Sequence, residues 1–153
     1  MVLHVDFLPA MASLFDAPAT ACAEWQGVDY SSVILDPDAP APKDYIVFTD
    51  DDYQSGQAGK VHPGPLNHIV SIRGECYKLA KYYSVVNPDL PVEWEMYDLL
   101  HDPLETTNLA YSGYHRSVHQ EAEFVRLQAN LRSVEQGRLQ PLPNTPAPLT
   151  PES

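Results

Sequence analysis

The sequence predicts an α+β fold: a small antiparallel sheet of about four strands, packed by an N-terminal and a C-terminal helix. Three observations carry this expectation. Two strand-like runs, Ile69–Arg73 and Cys76–Tyr83, flank Gly74-Glu75 and read as a hairpin. Further strand-like runs stand on either side, at Asp44–Thr49 and Glu93–Leu99. Helix-period apolar patterns bracket the set near both ends, an order that favours helices layered on one sheet over alternating βα units.

Residues 5–16 read as an amphipathic helix, with Leu8, Met11, Ala12 and Phe15 at spacings of three and four. Asp6 is the expected cap, which would place Pro9 in the tolerant first turn, and Pro18 is the expected stop. Residues 17–43 read as an irregular connector anchored to a core by Trp25 and Ile34-Leu35. After the first strand comes a long loop, Asp50–Asn67, rich in Asp, Gly, Pro and His, of a kind that is often functional. On the third strand Tyr77, Leu79 and Lys81 share one face; Cys76, Lys78, Ala80 and Tyr82 share the other. On the fourth, Trp94, Met96 and Asp98 alternate with Glu95, Tyr97 and Leu99, and the pattern leaves open which face is buried. Tyr77, Tyr82, Tyr83 and Tyr97 imply partial burial of the sheet against something more. Ser117-Val118-His119-Gln120 is a capping box opening a helix with Phe124, Leu127, Leu131 and Val134 on its stripe and Gly137 at its end. The expected domain is 1–139, followed by a Pro-rich disordered tail, 140–153.

Composition bounds the function. The chain has 153 residues, 44 % of them hydrophobic, enough for one modest core, and 15 prolines, which favour loops. Its net charge of −12 argues against nucleic acid and anionic membranes, which require basic patches. No Lys or Arg precedes Lys43. No run of 18 apolar residues and no signal-peptide pattern is present, and neither fact fixes a compartment. Cys22 and Cys76 cannot form a zinc knuckle or a CxxC pair; they read as two buried thiols, with a disulfide as the alternative.

The most specific stretch is Tyr97–Leu109, a strand end running through Asp102-Pro103 into a polar segment closed by Leu109. Asp102 can accept from nearby amides, Asn108 can bond backbone groups, and Leu109 can plug an apolar gap, so the stretch reads as a turn that fixes the strand exit. It resembles the YDLxxDPxExxNL signature near the C-terminus of the sulfatase family. Val5-Asp6-Phe7-Leu8-Pro9 is similar to that family's VDxLPT segment, and Ile72–Leu79 to its IRxxxYKL hairpin. Together with Trp94–Leu99, these motifs run in the family's order over residues 5–109. The resemblance implies the C-terminal subdomain of an alkaline-phosphatase-like sulfatase, docked beside a larger α/β catalytic domain.

The chain also departs from the family. A sulfatase uses a formylglycine nucleophile made from a C/S-x-P-x-R segment, together with a divalent cation, usually calcium. No such segment occurs: Ser112-Gly-Tyr-His-Arg116 has the arginine but not the proline. The expectation is therefore a sulfatase C-terminal fragment, with no catalytic residue and no cofactor of its own, inactive alone. Its expected partner is the missing catalytic domain, or a second copy through an exposed seam that includes Leu8, Met11 and several tyrosines. The alternative is a free-standing interaction module that docks on a separately encoded catalytic domain.

Within a parent enzyme, Asp51, Asp52, Tyr53, His62, Asn67 and His68 are the candidates to reach the pocket rim and read the non-sulfate part of a substrate. Asp50-Asp51-Asp52 with His62 or His68 has the donor types for a divalent cation, but Ser55 and Val61 break the calcium-loop pattern, and a solvated acidic turn is the simpler reading. His4, His101, His115 and His119 are dispersed, as surface or turn residues are.

Overall fold

A computed structural model describes residues 1–18, 25–51, 66, 68–84, 87, 89–137 and 139, with the backbone alone at Asp51. The chain divides into two compact units, Met1–Ile46 and Val47–Ser153. The long loop beyond Asp51, Cys22 and the Pro-rich tail all fall outside the described residues.

The second unit is built on a four-stranded sheet in the order β1-β2-β3-β4, with β1 Ile46–Asp51, β2 His68–Arg73, β3 Tyr77–Tyr83 and β4 Glu93–Asp98. The expected strands lie within two residues of these limits. β2 and β3 pair antiparallel, Ile72 opposite Leu79, and β3 pairs antiparallel with β4, Leu79 opposite Met96. The Gly74 N–H bonds the Tyr77 carbonyl, so the hairpin tip is Glu75-Cys76, one position later than Gly74-Glu75. Cys76 thus lies in the turn, as a half-buried free thiol.

The face left open by alternation is settled by burial. Val70, Ile72, Tyr77, Leu79 and Met96 are buried on one side. A 20-residue helix, Val118–Gly137, packs on β2 and β3 and buries Leu127, Leu131 and Val134. Phe124 meets Trp94 edge-on, His119 meets Tyr77, and Lys81 bonds Glu135 at 2.7 Å, so those rings and that ion pair fix the helix on this side. The helix starts where the capping box sets it: Ser117 Oγ accepts from the Gln120 N–H, and Gln120 Oε1 accepts from the Ser117 N–H.

The first unit holds two helices, α1 His4–Leu14 and α2 Ser31–Leu35; the helix of the second unit is α3. α1 starts one residue before the expected range, and its N-cap is Leu3 rather than Asp6. Asp6 is therefore its third residue, reaching back to the Leu3 N–H, and Pro9 sits at its sixth position. There Pro9 cannot donate to the Val5 carbonyl, and Gly27 lies against that carbonyl: a Cβ on Gly27 would come within 1.9 Å of the Val5 oxygen. The helix ends before Pro18. Asp16 takes a left-handed φ of 53°, and the Ala17 and Asp16 N–H groups bond the Ala12 and Ser13 carbonyls, the pairing of a Schellman turn. The apolar stripe read from the spacing does not face inward: Leu8 is exposed, as the expected seam has it, Phe15 is exposed too, and Asp6 and Ala10 are the buried residues. The connector is not wholly irregular: Asp29 Oδ1 accepts from the Ser31 N–H and starts α2. Trp25, Ile34 and Leu35 are exposed rather than anchored.

Candidate functional site

The segment after β4 is a hydrogen-bonded rail along the sheet edge. Asp98 Oδ1 accepts from the Leu100 and His101 N–H groups, and Asp98 Oδ2 lies 2.9 Å from His101 Nδ1. Burial opposes ionisation of Asp98, but His101 and these amides outweigh it and hold the carboxyl below its ordinary range. Asp102 accepts from the Thr107 N–H at 2.8 Å and from Thr106 Oγ1 at 2.9 Å; the Thr106 and Thr107 backbone groups lower its pKa.

Asn108 then acts as a substitute strand. Its Oδ1 accepts from the Met96 N–H (3.0 Å) and the Ala110 N–H (2.8 Å), and its Nδ2 donates to the Trp94 carbonyl (3.2 Å). The Leu109 N–H bonds the Met96 carbonyl and the Leu109 side chain is 3 % exposed. These bonds satisfy the outer edge of β4, which would otherwise stand open to another strand. Arg116 locks the segment to α3, donating to the Leu109 carbonyl and to Glu121 and lying 4.3 Å from the Phe124 ring. The turn motif is structural, as its residues led us to expect, and so is Arg116.

The sheet face away from α3 carries a polar array that sequence reading did not single out. Lys78 Nζ bonds the Glu105 carboxylate and lies 5.6 Å from the Tyr97 ring centre. Tyr82 donates to Glu95 at 2.7 Å, and burial followed by the Glu95 charge raises the Tyr82 and Tyr97 phenols. Glu105 has a left-handed φ of 56°, which turns the chain back towards Lys78. The alternation of Lys78, Ala80 and Tyr82 opposite Glu95 and Tyr97 was the available signal. Lys78 is paired with Glu105 and Glu95 is held by Tyr82, while Arg73, opposite Lys78 on the same face, is exposed.

Of the candidate pocket-rim residues, Asp51 ends β1 and His68 begins β2, on adjacent strands. His68 is 4 % exposed and stacks on Tyr83, ring centres 5.3 Å apart. Asp52, Tyr53, His62 and Asn67 lie outside the described residues. Among the described residues no group of three His, Cys, Asp or Glu side chains is placed to hold a metal ion.

In the first unit, α1 is apolar almost all round, yet Val5, Phe7 and Leu8 are each more than half exposed. Val2, Leu3, His4, Phe7 and Tyr30 line a shallow hollow beside them. An all-apolar helix normally lies inside a larger core.

No protein-family model matches the chain, and no curated protein does. Solved structures do. BT4656, determined with its substrate D-glucosamine-2-N,6-O-disulfate, matches at 21 % identity and a TM-score of 0.61. A protein of Bacteroides thetaiotaomicron assigned as a sulfatase matches at 20 % identity and a TM-score of 0.59. A protein of glycosaminoglycan metabolism in Bacteroides thetaiotaomicron, BT33494S-sulf, matches at 17 % identity and a TM-score of 0.56. Each match covers 86 % of this chain but only 23–26 % of the other. The chain therefore has the α+β fold of a segment about a quarter the length of these sulfatases, in agreement with the C-terminal subdomain its motifs imply.

Proposed function

We propose that this chain is the C-terminal lobe of a sulfatase-type hydrolase and cleaves no sulfate ester by itself. The likeness of fold over a quarter of the sulfatase length is the observation that carries the reading. Two further facts support it: the sequence contains no C/S-x-P-x-R segment from which a formylglycine could form, and α1 leaves large apolar side chains exposed. The nucleophile and the divalent cation would belong to the catalytic part. No chemical step is assigned to this chain.

The lobe's work is positional. Its sheet is stiffened by α3 on one face and by the Lys78–Glu105 and Tyr82–Glu95 bonds on the other. Such a platform can carry the loop between β1 and β2 to the rim of a neighbouring pocket. Asp51, Asp52, His62, Asn67 and His68 are the proposed contacts to the non-sulfate part of a substrate in that assembly. Of these, His68 would act by positioning, since it lies beneath Tyr83.

Two arrangements satisfy the proposal: a longer polypeptide that includes this lobe, or a free-standing module docking on a separately encoded catalytic domain. The coding sequence around this chain separates them. An in-frame C/S-x-P-x-R segment upstream supports the first; a separate neighbouring reading frame with that segment supports the second. Neither in the genome would overturn both.

A further inference from the structure

The first unit has almost no hydrophobic core. Ala10 is the one fully buried apolar side chain among its described residues, while large apolar groups from Val2 to Leu35 stand exposed. Burial of apolar area is therefore a thin basis for closing residues 1–46 around α1, where Leu3, Met11, Leu14, Val28 and Val33 are only half-buried.

One polar centre can close them. Asp6 is 1 % exposed, and its carboxylate gathers donors from three segments. Oδ2 accepts from the Leu3 N–H at 2.6 Å, at the start of α1, and from the Lys43 ammonium; Oδ1 accepts from the Val28 N–H at 2.9 Å. Val28 is 22 residues and Lys43 37 residues away in sequence, so the one carboxylate closes two large loops. A carboxylate taken out of water is tolerated only when its acceptor sites are filled in this way. Lys43 is the only Lys or Arg in residues 1–46, so no other Lys or Arg of the stretch can replace it.

We propose that the Asp6–Lys43 pair, with its two amide donors, is the clasp that closes residues 1–46 into a unit, and that the clasp opens in acid. The surrounding ionisable groups do not substitute for it. His4 on α1, Asp16 beyond it, Asp29 before α2, and Asp36, Asp38 and Asp44 on the last segment are all exposed, and α2 itself carries no titratable group. Burial disfavours the Asp6 anion, but Lys43 and the two amides outweigh that and hold its carboxyl below 3.8. A carboxyl with a lowered folded-state pKa stabilises the fold above its ordinary value. That contribution is lost as pH falls through the lowered value.

Trp25 lies three residues from Val28 and reports on this unit. In a Trp94→Phe background its emission is followed against pH, with Asp6→Asn and Lys43→Gln compared. The expected parent result is a cooperative change with its midpoint below pH 3.8. Lys43→Gln should move that midpoint upward by about half a pH unit or more, a threefold change in proton concentration. Asp6→Asn should abolish the transition and leave residues 1–46 open to protease at neutral pH. Asp29→Asn, which removes a second lowered carboxyl among the described residues of the unit, should keep the Lys43-dependent shift. No transition in the parent, an unmoved midpoint in Lys43→Gln, or an intact transition in Asp6→Asn would each overturn the clasp. The Lys43→Gln arm remains decisive if Asp6→Asn cannot be purified.

Discussion

Asn108 shows how much one side chain can do when it meets backbone. It answers the Met96 N–H and the Trp94 carbonyl on an edge strand and turns the following chain through Ala110. Removing it leaves the Met96 amide without that acceptor beside a fully buried side chain. Asn108→Ala should therefore cost about 1–3 kcal/mol in urea unfolding, the range for orphaning a buried polar group. Asn108→Asp keeps an acceptor but loses the donor to the Trp94 carbonyl, and should fall between the two. Equal stability of all three proteins would contradict the edge role. These contacts were legible in the sequence because they are local: Asn108 lies 12 and 14 residues from its β4 partners, within one turn motif. The Asp6 centre was legible only as a cap, because nothing in a linear reading brings Val28 and Lys43 to it.

At the scale of elements, the strands and both long helices were readable, and the buried face of the first helix was not. β2, β3 and β4 show themselves through alternation and through the Gly74 turn, and α3 through its capping box and its stripe. α1 has apolar residues on nearly every side, so periodicity could not say which face is buried; Asp6 and Ala10 turned out to face in. α2 is a single turn, too short for a periodic signal. Two substitutions test these elements. Ser117→Ala removes the oxygen that receives the Gln120 N–H and should cost about 1 kcal/mol, with hydrogen exchange faster over the first turn of α3. Gly27→Ala places a carbon against the Val5 carbonyl, which is backbone and cannot rotate aside. That variant should become sensitive to protease within residues 1–46 while the circular dichroism of the sheet unit is unchanged. Unchanged proteolysis would show that the approach of Gly27 to α1 is unimportant.

For the molecule as a whole, the two units differ in what they bury. The sheet unit buries Ile72, Leu79, Met96, Leu127 and Leu131 and has a core of its own. The N-terminal unit exposes Val5, Phe7 and Leu8 and is held by polar bonds. Purified alone, the chain should self-associate or melt broadly, and Phe7→Glu with Leu8→Glu should shift size-exclusion elution towards the monomer. A sharply melting, strictly monomeric parent chain would count against an exposed seam. The motifs made the fold of this segment legible, and the solved structures share that fold; the contacts proposed for the loop after β1 had no such signal, since Asp and His in a polar loop look alike whether solvated or bound.

Sulfate release from an aryl sulfate by the purified chain, measured with and without added calcium, decides whether the lobe is inactive alone. No turnover above buffer is expected under either condition. Turnover that co-purifies with the chain and persists through successive columns would contradict it.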